Sequence, residues 1–142
     1  MEASSWPKGV QVIQFPQRVD ERGVLTFGEG SLQIPFAVQR IFWITDVPAG
    51  QMRGGHAHRT CHEVVVAVGG SFEIEVSDAR VSRVFCLSDP SKGLLIPAGV
   101  WCELRHFAPG TVCLVAASQA YDAQGYIHDH AAWLEEQRRN SQ

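Results

Sequence analysis

No stretch of the 142-residue chain approaches the run of roughly 20 apolar residues that a helical membrane span requires. Its opening residues, MEASSWPKGVQ, hold no apolar segment of the kind a secretory signal needs. No membrane partner is expected, and a cytoplasmic location is. Positive charge is not in excess either, with a formal net charge of −3 and a pI near 6.0. That balance excludes a broad electrostatic surface for nucleic acid or acidic lipid while leaving room for a local basic pocket. Cys61, Cys86, Cys102 and Cys113 are widely spaced and form no C-x-x-C pair. They sit mostly in apolar, strand-like contexts, so reduced thiols are expected rather than a disulfide framework. Internal repeats and low-complexity segments are absent. The length accommodates one domain, residues 1–142, and a 45% hydrophobic content can fill a substantial core.

What the chain has in quantity is short apolar runs punctuated by turn residues. Val10 to Phe15 reads as a strand, 16–21 as a polar connection, and Val24 to Phe27 as a second strand before a loop over 28–33. Val38 to Ile44 follows, with Arg40 as the odd residue in an apolar strand. Gly70 to Val76 is the cleanest period-2 pattern, Phe72, Ile74 and Val76 facing in and Glu73 and Glu75 facing out. Residues 81–87, 93–96, 100–107 and 111–117 supply further strands at the spacing of sandwiches and small barrels. The expected fold is all-β, a barrel of eight to eleven strands. An N-terminal strand region covers 8–30, the barrel core 34–118, and one amphipathic helix about 129–139.

The stretch Gly50 to Gly70, GQMRGGHAHRTCHEVVVAVGG, concentrates three of the six histidines beside Arg53 and Glu63. On a strand, side chains two apart share a face, so His56 and His58 point the same way and Ala57 the other. Gly54 and Gly55 just before them permit a bulge or a close backbone approach. Val64 to Val68 continues as a buried β-branched run.

Gly50, His56, His58, Glu63 and Gly70 stand at the intervals of the first cupin motif. Pro97, Gly99 and Trp101 form part of the second, with Cys102 where that motif has its histidine. The chain thus resembles the cupins, double-stranded β-helix or jelly-roll barrels. Over nearly its whole length it resembles, more narrowly, the sugar-nucleotide 3,4-ketoisomerases that act on dTDP-4-keto-6-deoxy-D-glucose. The matching pieces are Arg22-Gly23-x-Leu25, Glu29, Ile34-Pro35-Phe36, Arg40 and Arg53-Gly54-x-His56-Ala57-His58. They continue through Gly69, Ser71, Gly93-Leu94, Val100-Trp101-x-Glu103, Ala117-Ser118 and Tyr121-Asp122.

The resemblance implies a metal-independent homodimer that shifts a sugar carbonyl between C4 and C3 through an enediol, in deoxysugar biosynthesis. Such a shift takes a proton from one carbon and returns one to its neighbour, work suited to a group titrating near neutrality. His56 and His58 are the expected catalytic pair, one as base and the other, or an arginine, stabilising the enediolate. Arg40 and Arg53 are expected on the diphosphate, where guanidinium binds bidentately. Arg40 could pair instead with Glu29 or Glu63. Trp101, Phe42, Glu63, Cys102 and Tyr121 complete the expected substrate contacts, and His62, His106 and His128 have weaker claims.

The chain departs from the family where a tyrosine is usual at Phe42 or Trp43, a glutamine at Glu63, a histidine at Cys102, and an acidic residue and arginine near Gly125 and His128. Glu63 beside the histidines would raise their pKa and favour an imidazolium. It also opens an alternative, a metal-dependent cupin enzyme using His56, His58 and Glu63 with Cys102 or His106, holding a divalent ion. A third reading is a non-catalytic sugar-nucleotide-binding cupin, for which the loss of a phenol at Phe42 would be a signature.

Overall fold

The alternating segments become strands whose inward residues meet between two sheets. The computed structural model of the chain describes residues 6–141. One sheet is built from β1 (Gln11–Gln14), β4 (Arg40–Thr45), β6 (Glu63–Gly69), β9 (Lys92–Ile96) and β11 (Val112–Ala117), in the order β1-β9-β6-β11-β4. The other is built from β5 (Arg53–His58), β7 (Phe72–Ser77), β8 (Ser82–Leu87), β10 (Trp101–Arg105) and β12 (Tyr126–Ile127), in the order β12-β5-β10-β7-β8. A hairpin of β2 (Gln17–Asp20) and β3 (Gly23–Thr26) forms a separate two-stranded unit. All strand pairings are antiparallel, in a jelly-roll order.

Period-2 alternation decides what fills the space between the sheets. Val65, Ala67, Leu94, Ile96, Cys113 and Val115 from the first sheet join Phe72, Ile74, Val76, Cys102 and Leu104 from the second in one buried cluster. A smaller cluster on the outer face of the first sheet gathers Ile13, Phe15, Val64 and Val66. All four cysteines are free thiols. No described helix is long and apolar enough to cross a membrane.

The all-β jelly-roll with a short C-terminal helix is the fold expected. The two sheets stay open at their edges, and the described strands number twelve where about eight to eleven were expected. The segment read as a polar connection forms β2, because Gln17, Arg18 and Asp20 are exposed strand residues with no apolar alternation to reveal them. β1 and β12 lie outside the expected core bounds of 34–118, yet each completes a sheet.

Helix α1 (His130–Asn140) starts where Asp129 accepts a hydrogen bond from the Ala132 N–H at 3.2 Å, an N-cap that satisfies one of the first free donors. Arg138 and Arg139 occupy its last turn, where the helix dipole favours cations. Trp133 is the buried residue of the helix, packed with Ala57, Trp101 and Ile127. Its indole N–H donates to the Gly99 carbonyl at 2.7 Å, and Glu136 pairs with Arg59 at 2.7 Å. The helix thereby covers the outer face of β5 and backs the strand that carries the histidine pair. Replacing the buried indole should cost about 3–5 kcal/mol, as large-to-small core changes do. Trp133→Ala is expected to lower the urea midpoint accordingly, and a loss under about 1 kcal/mol would contradict the helix's supporting role.

Candidate active site

Two successive glycines in the left-handed region set the aim of β5, Gly54 at φ +80° and Gly55 at φ +75°. A Cβ on Gly54 would stand 3.0 Å from the Cys102 carbonyl oxygen, so a side chain is excluded by contact as well as by φ. The β5–β10 register slips at this point, between Cys102 and Glu103. Beyond the bulge Ala57 is fully buried against α1, and His56 and His58 face the inter-sheet space.

His58 and Glu63 are both buried, with Nε2 and Oε2 3.0 Å apart. Their approach is oblique, so Nε2 has no formed hydrogen bond. The partly buried ring of His56 meets His58 edge-on, centroids 5.0 Å apart. On the neighbouring β12, Tyr126 stands opposite His58 in register and places its ring 4.4 Å from His58 and 5.0 Å from His56. His128 lies flat against Tyr126 at 5.5 Å and 5.9 Å from His56.

The opposite edge of the cleft is β4. Arg40 Nη2 donates to the Tyr126 hydroxyl oxygen at 3.3 Å, linking the edge strands of the two sheets. The guanidinium sits 5.1 Å from the Phe42 ring and 5.5 Å from Tyr121. Its Nε is buried without a partner. No carboxylate among the described residues pairs with Arg40, so the expected alternative pairing with Glu29 or Glu63 does not form.

The family model FdtA (WxcM-like, C-terminal) matches residues 8–138. The chain belongs to the FdtA family. It is 33% identical over 120 residues to the TDP-4-oxo-6-deoxy-alpha-D-glucose-3,4-oxoisomerase of Aneurinibacillus thermoaerophilus, covering 84% of this chain and 86% of that one. The 3,4-ketoisomerase QdtA of Thermoanaerobacterium thermosaccharolyticum was solved as a histidine-to-asparagine variant in complex with TDP-4-keto-6-deoxyglucose. It superimposes with a TM-score of 0.92 at 34% identity over 94% of this chain and 97% of that one. A 3,4-ketoisomerase from Helicobacter canadensis gives 0.89 at 34% identity over 92% and 98%.

Within this FdtA-family site the residues expected from sequence divide. His56, His58, Arg40 and Phe42 converge, and Tyr121 covers Arg40 from the exposed mouth. Arg53 lines an adjoining cavity of about 310 Å³ with Asp46, Gln51 and Met52, and its charge reaches Cys113 in the interior. Three other residues expected as substrate contacts are buried. Trp101 lies on the outer face beneath α1, its N–H donating to Glu103 at 2.9 Å, because strand alternation turns it away from its neighbour Cys102. Glu63 is buried against His58, and Cys102 is buried in the core opposite His56. His106, a proposed extra ligand, is mostly exposed and lies 3.0 Å from Glu73 away from the cluster. Tyr126 was missed, and His128, expected only weakly, stands beside it. The Tyr126-x-His128 spacing repeats the i, i+2 pattern of the histidine pair, and that was the available signal.

Burial pushes His56 down to about 4, helped by the charge of His58 and, less, of His128, against an upward pull from Glu63. The expectation that Glu63 would favour an imidazolium therefore fails at His56, because desolvation outweighs the carboxylate. Burial, then Glu63, pushes the Cys102 thiol well up, and burial pushes Cys113 up to about 12. Both thiols stay protonated at neutral pH.

His56 binds its proton near 6.5 when unfolded and near 4 when folded, so between those values the unfolded chain holds more protons. Its contribution to stability is complete above about pH 6.5 and is lost as the pH falls to about 4. Urea midpoints should fall through this window, and His56→Asn should flatten the fall. An identical slope in the variant would contradict a neutral, buried His56.

Proposed function

We propose that the protein moves the keto group of a TDP-linked 4-keto-6-deoxyhexose between C4 and C3, working as a metal-free homodimer with His56 as the base. The observation that carries this reading is a neutral, half-buried imidazole in ring contact with Tyr126, whose hydroxyl is held by a guanidinium with no carboxylate partner among the described residues. His56 takes the C3 proton, and the electron pair moves through C3=C4 to the C4 oxygen. Arg40 faces the enediolate that develops, a placement that stabilises the charge with a cation already in position. His58, backed by Glu63, packs edge-on behind His56 and holds its ring. His56 then returns the proton at C4. Arg53, beside its own cavity, is suited to the diphosphate through a forked donor that Lys would lack.

A second reading has an observation of its own. The donor atoms of His56, His58 and Glu63 lie within 4.8 Å of one another, and His58 Nε2 is an orphaned buried atom. These three residues would hold a divalent ion, which would supply Lewis-acid polarisation of a sugar oxygen. The two further donors considered do not join them, Cys102 as a buried neutral thiol and His106 as a partner of Glu73. The metal-free reading is preferred because Arg40 already provides a cation at the cleft.

The outer face of the first sheet supports the dimer. An open trough of about 880 Å³ runs between it and the β2–β3 hairpin, lined by Val24, Ile34, Val38, Ile41, Val66 and Leu114. Val19, Leu25 and Trp43 are also exposed, and a second copy would cover this apolar surface. Light scattering at micromolar concentration should give twice the 15.7 kDa chain mass, and a monomer would contradict the assembly.

Turnover of TDP-4-keto-6-deoxyglucose followed by proton NMR tests the activity. The chelated wild type should form the 3-keto product at full rate, and His56→Asn should lose about 10²–10⁴-fold in kcat while still binding TDP. Activity lost on chelation and restored by one divalent ion would install the metal reading. TDP binding without turnover would install the non-catalytic one.

A further inference from the structure

Moving a carbonyl along two carbons requires proton traffic at oxygen as well as at carbon. The C4 oxygen must gain a proton and the C3 hydroxyl must lose one. His56 is occupied in both half-steps, since it carries the carbon-bound proton between them. His58 and Glu63 are buried against each other, and Phe42, at the inner wall, offers no exchangeable hydrogen. The remaining acid–base group in ring contact with both histidines is Tyr126.

The placement of Tyr126 is built rather than incidental. β12 pairs with β5 so that Tyr126 faces His58. The turn before it is fixed by Asp122, which accepts from the Gln124 N–H at 3.0 Å, and by the Gly125 carbonyl, which accepts from the Arg59 N–H at 2.8 Å. Arg40 donates to Oη at 3.3 Å, so that oxygen acts as acceptor there and its own O–H remains free to turn toward a ligand. No acceptor among the described residues takes that O–H. Tyr121 is a weaker candidate: it lies over Arg40, mostly exposed, and its ring contacts are to Arg40 and Tyr126 rather than to the histidines.

Resting on the isomerase reading above, we propose that Tyr126 is the oxygen acid–base of the reaction, its phenol giving a proton to the C4 oxygen and taking one from the C3 hydroxyl. In the first half-step the C3–H bond breaks and its proton goes to His56. The pair forms C3=C4, and the C4 oxygen takes the phenol proton to give the enediol. In the second, the phenolate removes the C3 hydroxyl proton, C3=O forms, and the C3=C4 pair takes the proton from His56 at C4. Both residues return to their starting forms, and no oxidant or reductant is required. Arg40 faces the charge that develops on the phenol oxygen between the two half-steps.

Tyr126→Phe keeps the ring against both histidines and removes the hydroxyl alone. Its kcat should fall about 10²–10⁴-fold, with calorimetric affinity for TDP unchanged and the melting temperature lowered by no more than the loss of the one Arg40 hydrogen bond brings. The chain has two tyrosines, so fluorotyrosine incorporated into a Tyr121→Phe background labels Tyr126 alone. The more acidic phenol should shift the alkaline limb of the kcat profile to lower pH relative to unlabelled Tyr121→Phe. A kcat for Tyr126→Phe within about threefold of wild type, a loss shared by TDP binding, or an unmoved alkaline limb would overturn the assignment. Wild-type protein run in parallel separates the two claims. If it does not isomerise the TDP-sugar, the isomerase reading fails and this proposal with it. If it does and Tyr126→Phe does equally, Tyr126 alone is wrong.

Discussion

Desolvation of one imidazole is the constraint on which the site depends. A histidine on a solvated strand is partly protonated near neutrality, and the protonated fraction cannot take a further proton. The same ring between His58, Tyr126 and His128 is held neutral down to about pH 4. That burial needs β5 covered on both faces. Ala57 leaves room for Trp133 and α1 on one side, and the Gly54-Gly55 bulge turns the histidines inward on the other. Helix, bulge and imidazole are thus parts of one arrangement, and loosening the helix should reach the chemistry through β5.

Charge is placed with similar economy. The cleft presents cationic Arg40, Arg53 lines a cavity of its own with Asp46, and the carboxylate beside the histidines, Glu63, is withdrawn behind His58. A site arranged this way presents positive potential to an incoming diphosphate and to an oxyanion, and keeps its anion from competing. The Arg40–Tyr126 contact also ties the edges of two otherwise open sheets, so the cation is held by the fold rather than by a salt bridge. The jelly-roll leaves sheet edges open, and those edges form the cleft.

Much of the fold was legible because period-2 alternation is a local signal. Phe72, Ile74 and Val76 went inward and Glu73 and Glu75 outward, as their spacing required. The shared face of His56 and His58 was legible for the same reason. Trp101 was not, because Trp101 and Cys102 are both buried on a strand covered on both sides, and alternation cannot say which face is which. β2 gave no apolar pattern, and Tyr126 sits in a two-residue strand too short to carry one. The fall in the His56 pKa depends on depth of burial, which no spacing encodes, whereas the nearby carboxylate Glu63, which is visible in the sequence, acts in the opposite direction. The family and its reaction class were legible from motif intervals spread along the chain, and the comparison over residues 8–138 agrees.

The central claim is that His56 carries a proton, not a hydride, between adjacent carbons. The direct measurement is turnover of TDP-4-keto-6-deoxyglucose in deuterium oxide, with the isotope at C4 of the 3-keto product read by NMR. A proton held on an imidazole that is partly open to solvent exchanges before it is returned, so deuterium should appear at C4. Complete retention of the substrate's own C3 hydrogen at C4, at full turnover, would contradict the account and point to a direct 1,2-shift of hydride.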